Sequence, residues 1–115
     1  MRSEVLTWVG GEHPFALTLP LLEALQDRCG GDGVGLIHQR LVTQQYQVSD
    51  IIATLALGLE GGGMEKRESN KMVRLLFEDH GLTELLMPAL AVLGAALQGW
   101  PEQMEKPEAE AEANS

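Results

Sequence analysis

The sequence predicts a mainly α protein with a small N-terminal β-hairpin (α+β), about five short helices packed around an apolar C-terminal helix. Three observations carry this expectation. Leu and Ala dominate the apolar residues, and only five residues are aromatic. β-Branched residues cluster in short runs. The longest apolar run, Leu82–Trp100 (LTELLMPALAVLGAALQGW), places Leu86, Leu90, Leu93 and Leu97 at helical spacing with almost nothing polar on its other faces. A helix that is apolar all round is either buried in a domain or held against a partner.

Residues 1–100 read as one domain, large enough to bury a core, with the hairpin inside residues 3–19. Val5–Val9 forms a first β-type run and Phe15–Leu19 a second, around a Gly10-Gly11 turn. Pro14 then stands at the start of the second strand, where a missing N–H is tolerated. A lone hairpin is marginally stable, so one face must lean on helices. Its open edges, carrying Leu6 and Trp8, are candidates for docking by strand addition.

Pro20 suits the first turn of a helix whose inner face is Leu21, Leu22, Leu25 and Cys29, and Gly30-Gly31 ends it. Asp32 is the expected cap of a second helix, Val34–Gln44, with Val34, Ile37 and Leu41 inward. Ser49 is the expected cap of a third, where Asp50 favours the positive end of the helix dipole. Ile51, Ile52, Leu55, Ala56 and Leu59 fill its core face. Gly61-Gly62-Gly63 lacks the Lys-Ser/Thr and the strand-to-helix setting of a phosphate loop, and reads as a flexible turn. A fourth helix, Lys66–His80, is amphipathic and stops at Gly81. Its outer side carries Arg67, Lys71 and Arg74, the basic cluster of an acidic chain, able to grip an acidic partner or the chain's own tail.

The net charge of −9 is uneven. Residues 101–115 hold five Glu and one Lys, with low hydrophobicity, and are expected to be disordered. So acidic a chain repels phosphates and anionic surfaces, which argues against nucleic acid and against a membrane surface as partners. Leu82–Leu97 is short of the roughly twenty strongly apolar residues of a membrane span and is interrupted by Pro88. A single cysteine and a start, MRSEVLTW, without an apolar signal segment suit the cytoplasm of a bacterial or host cell.

Sites for chemistry are absent from the pattern. His13, His38 and His80 share no metal spacing, there is no cysteine pair, and no nucleophile elbow surrounds any serine. Cys29 reads as a small buried hydrophobe. No catalytic, cofactor or metal-binding residue is assigned, and the expectation is a binding protein rather than an enzyme. Within the apolar run, Leu86, Leu90, Leu93 and Leu97 are expected to face the core. The flatter stripe Leu85, Ala89, Val92 and Ala96 either meets a partner helix or a second copy of the chain, or is buried by the third helix.

In order along the chain stand Arg2-Ser3-Glu4, the Gly10-Gly11 turn, Leu19-Pro20-Leu21-Leu22-Glu23-Ala24-Leu25, Val48-Ser49-Asp50-Ile51-Ile52-Ala53-Thr54-Leu55, Gly58-Leu59 with its glycines, and the Ala-rich helix Leu90–Leu97. This order, over about residues 2–98, resembles the phage tail assembly chaperone family of gene transfer agents and siphophage-like tails. The resemblance implies a non-enzymatic assembly factor in virion morphogenesis. Such a factor keeps a tape measure protein soluble, brings tail tube protein to it, and is absent from the finished tail. It carries no catalytic residues over to this chain. A structural tail component and a small acidic inhibitor or adaptor stay open as alternatives, as does a homo-oligomer.

Overall fold

The computed structural model describes residues 3–99; the acidic segment 101–115 lies outside the described residues. An antiparallel hairpin, β1 (Glu4–Trp8) and β2 (Gly11–Phe15), is followed by α1 (Leu19–Arg28), α2 (Val34–Thr43), α3 (Val48–Gly61) and α4 (Lys66–Gln98). The fold is mainly α, as the composition predicts. The expected fourth and fifth helices are the two arms of α4, which bends at Gly81 with φ 80° and ψ 173°. That left-handed φ strains any residue with a Cβ, so glycine is what permits the bend. His80 ends the first arm, as the sequence predicts, and spans the bend to Glu84, Nδ1 to Oε1 at 2.9 Å.

The hairpin differs from its expected register. Trp8 pairs with Gly11, so Val9-Gly10 is the turn, and Pro14 stands opposite Val5 inside the strand. The second strand ends where the sequence reading began it, at Phe15. The reason is a competing partner: the Ala16 N–H donates to the Gly58 carbonyl of α3 at 3.0 Å. Phe15, Ala16 and Leu17 thus enter the core instead of continuing the ladder, while Leu19 is exposed at the start of α1.

The centre of the molecule is α3. Every residue from Asp50 to Leu59 is buried, and α3 meets β2, α1, α2 and α4. The C-terminal arm of α4 buries one face only. That face is Leu85, Leu86, Ala89, Val92 and Leu93, whereas Leu90 is half-buried and Leu97 is exposed. Small residues decide this orientation. A Cβ on Gly58 would stand 3.0 Å from Val92, so the helices approach closely along the small-residue stripe. By length and composition α4 could cross a membrane; here its second arm fills the domain core.

Gly61 and Gly62, at the end of α3, are a packing requirement. A Cβ on Gly61 would fall 1.9 Å from the Ala16 carbonyl oxygen, and one on Gly62 1.9 Å from that of Pro14. Bare helix backbone is therefore the bed on which the end of β2 lies, where the sequence suggested a flexible turn.

Both expected caps are replaced by one ionic network. Arg40 on α2 donates from Nε and Nη2 to the two oxygens of Asp50, each at 2.8 Å, and from Nη1 to Asp32 at 2.7 Å. Asp50 also accepts from the Gln47 N–H at 2.8 Å, making Gln47 the cap of α3. Asp32 caps nothing, and Gly33 occupies the position before α2. Such a bidentate fork is among the stronger ionic geometries. Burial alone would push the Asp50 carboxyl up, but the Arg40 and Gln47 bonds hold it below the usual carboxylate range. Nearby Cys29 is pushed up to about 11, chiefly by burial, which suits a packing residue rather than a thiolate.

Three substitutions test these contacts. Gly61→Ala is expected to cost at least about 3 kcal/mol in chemical denaturation, the upper range of overpacking, because the clash is with backbone. Gly35→Ala, where nothing stands within 4 Å of the added methyl, is expected to be neutral or stabilising by up to about 1 kcal/mol. Arg40→Met leaves fully buried Asp50 without its counter-ion, and is expected to cost about 3–5 kcal/mol at neutral pH. Since the folded-state pKa of Asp50 is depressed, the wild-type network stabilises fully above the unfolded value of about 3.9 and is lost as pH falls below it. In Arg40→Met the desolvation that raises this pKa loses its largest opponent and keeps the weaker Gln47 bond, so the acid unfolding midpoint is expected to lie at higher pH than that of the wild type.

Candidate functional site

The N-terminal arm of α4 is anchored along a narrow line. Its fully buried residues are Ser69 and Val73, with Met72 and Leu76 packed partly against the core. Leu75 and Phe77 are exposed, at 50% and 43%. Met64, Met72, Leu75 and Leu76 line an apolar groove of about 340 Å³, with Glu68 and Lys71 at its sides. The hairpin turn packs on Leu76, since a Cβ on Gly10 would meet that side chain at 2.9 Å. Two flexible thioethers give such a groove an adaptable wall.

Arg67, Lys71 and Arg74 recur at i, i+4 and i+7, on the side of the helix away from Ser69 and Val73. All three are exposed. They form a basic ridge with a groove on each flank. Lys71 borders the apolar groove. Arg74 borders a second, of about 420 Å³, together with Arg28, Ser49 and Ile52. Arg28 is tied to the ridge by its Nη2, which donates to Asn70 Oδ1 at 3.3 Å. The ion pairs among the described residues are those of Arg40 with Asp32 and Asp50 and of His80 with Glu84, none of them on this ridge.

The other sequence-predicted contact residues fall elsewhere. Leu85, Ala89 and Val92 are fully buried against the core and Ala96 is half-buried, so the stripe has little free face to offer; of its two expected fates it meets burial. Trp8 is also buried, its Nε1–H donating to His13 Nδ1 at 2.9 Å and its ring meeting Phe15 edge-on at 5.2 Å. Leu6 is half-buried, and Val5, at 62%, is the exposed apolar residue of β1. β2 lies along α3, while β1 pairs with β2 alone and keeps its outer edge open.

The apolar groove escaped the sequence reading, although a signal was there. Leu75-Leu76-Phe77 is three consecutive apolar residues, too broad an arc for one face of a helix, so part of it had to remain outside. Among the described residues, no group of three or more His, Cys, Asp or Glu could hold a metal ion. The groove of Met64, Met72, Leu75 and Leu76 is mainly apolar with one charge of each sign at its sides, an arrangement suited to holding polypeptide.

Against this geometry the comparison with known families is decisive for kinship. Residues 2–99 match the model of a family described as phage tail tube protein, GTA-gp10. The chain belongs to this phage tail assembly chaperone family. The family is generally non-enzymatic, and membership implies tail proteins as partners. No curated protein and no solved structure matches the chain.

The placement of these residues separates stability from surface. Ala89→Asp buries a charge where no side-chain exposure exists, and is expected to leave the chain unfolded by circular dichroism. Leu75→Ala is expected to stay within about 1 kcal/mol of the parent in denaturant titration, because half of that side chain is already in water.

Proposed function

We propose that the chain is a tail assembly chaperone acting in the bacterial cytoplasm. In this reading it binds a tape measure protein and tail tube protein during assembly of a phage or gene-transfer-agent tail, and leaves before the tail is complete. The observation that carries the reading is the family match over residues 2–99. The surface supports it physically. A protein that keeps a long polypeptide soluble needs an adaptable apolar groove on a strongly charged body. The methionine-lined groove and the net charge of −9 meet that need.

A second reading has its own support. The family's description names a tail tube protein, which fits a component retained in the particle. The two readings part on one measurement. As a chaperone, the chain is expected to co-purify with a tape measure protein when the two are co-expressed, and to be missing from purified particles by mass spectrometry. Presence in particles at a fixed ratio to tube protein would establish the structural reading instead. Met72→Glu with Leu75→Glu is expected to cut recovery of the tape measure protein at least tenfold while helix content is kept; undiminished recovery would move the docking place away from the groove.

A further inference from the structure

We propose that the chain's own acidic segment, residues 101–115, docks on the basic ridge of α4 and covers the apolar groove beside it. This stands on charge and reach within the chain, whichever tail role the protein has. Of the eight Lys and Arg in the sequence, five are Arg28, Lys66, Arg67, Lys71 and Arg74. Helix geometry puts Arg67, Lys71 and Arg74 on one side of α4, with Lys66 in its first turn and Arg28 of α1 joined to it through Asn70. Arg40, by contrast, is consumed in its internal network.

Opposite charge is concentrated in the same polypeptide. Glu102, Glu105, Glu108, Glu110 and Glu112 outweigh Lys106. Fifteen extended residues reach roughly 50 Å, beyond the 46 Å longest dimension of the molecule. Reach is therefore not limiting from any exit point. Tethering holds the segment at an effective concentration of about millimolar, so weak exposed pairs suffice where a free acidic peptide would dissociate. Met104 supplies an apolar side chain for a groove already lined by Met64 and Met72. The docked segment neutralises the ridge and screens Leu75 from water. An incoming partner must displace it, so occupancy of the groove becomes dependent on salt and on competing acidic segments.

The test uses the full chain labelled with nitrogen-15. Replacing the five tail glutamates by Gln is expected to move the amide resonances of residues 67–76 and to leave those of α2 in place. Raising salt from about 20 mM to about 500 mM, where the screening length falls several-fold, should move the wild-type resonances the same way and the Gln variant little. Carbodiimide coupling is expected to join Lys71 to a tail glutamate within one chain, and Arg67→Glu with Arg74→Glu should reduce it at least fivefold. Unchanged α4 resonances in the Gln variant would overturn the proposal. So would coupling found only in covalent dimers, which would make a second copy the occupant.

Discussion

The end of β2 lies directly on helix backbone at the C-terminus of α3, and the other elements take their places from that seam. Gly58 supplies the carbonyl that receives the Ala16 N–H, and Gly61 and Gly62 leave room for the carbonyls of Ala16 and Pro14. A two-stranded hairpin has too little surface of its own to be stable in water. Here Phe15 is driven into the gap beside Gly58, where Val92 of α4 closes on the same glycine. One turn of α3 thus joins the hairpin, the central helix and the C-terminal arm. The burial of Phe15, Leu17, Leu55, Leu59 and Val92 is a shared consequence of that approach.

At the opposite end of α3, charge performs the corresponding task. The Arg40 fork holds Asp50, Gln47 and Asp32 together, fixing α2 and the loop before it to the start of the central helix. Desolvation of Asp50 is offset only while both oxygens are engaged. α3 is therefore clamped at its start by ionic geometry and at its end by the absence of side chains, and between the two it is buried throughout and apolar except for Thr54.

These two clamps mark the limit of what the sequence discloses. Stripes on α1 and α2 were legible because local periodicity decides them: Leu25 with Cys29, and Ile37 with Leu41, are buried as spacing requires. The hairpin register was not, because Ala16 exchanges a ladder bond for one to a helix distant in sequence. Asp32 and Ser49 look like caps by local rule, yet a long arginine on the intervening helix reorganises both sites. Leu86 and Leu97 looked equivalent by spacing; the close approach permitted by Gly58 turned the small side chains inward and left Leu97 at the surface. Of the candidate interface, the ridge Arg67, Lys71 and Arg74 was readable from charge spacing. The groove beside it depends on Met64, which only the turn after α3 brings alongside Met72.

The bend at Gly81 divides α4 into arms with different duties. The C-terminal arm supplies core, and its sequence is constrained by close packing against α3. The N-terminal arm is attached through buried Ser69 and Val73, with Met72 and Leu76 packed partly against the core, and its outer residues lie in solvent. A straight amphipathic helix of the same length would present one continuous stripe, and either the core or the groove would lose its apolar face. Breaking the helix at a glycine lets the two faces point independently. A small protein of a tail assembly family thereby displays an exposed apolar groove and a basic ridge on one arm while the other arm supplies its core.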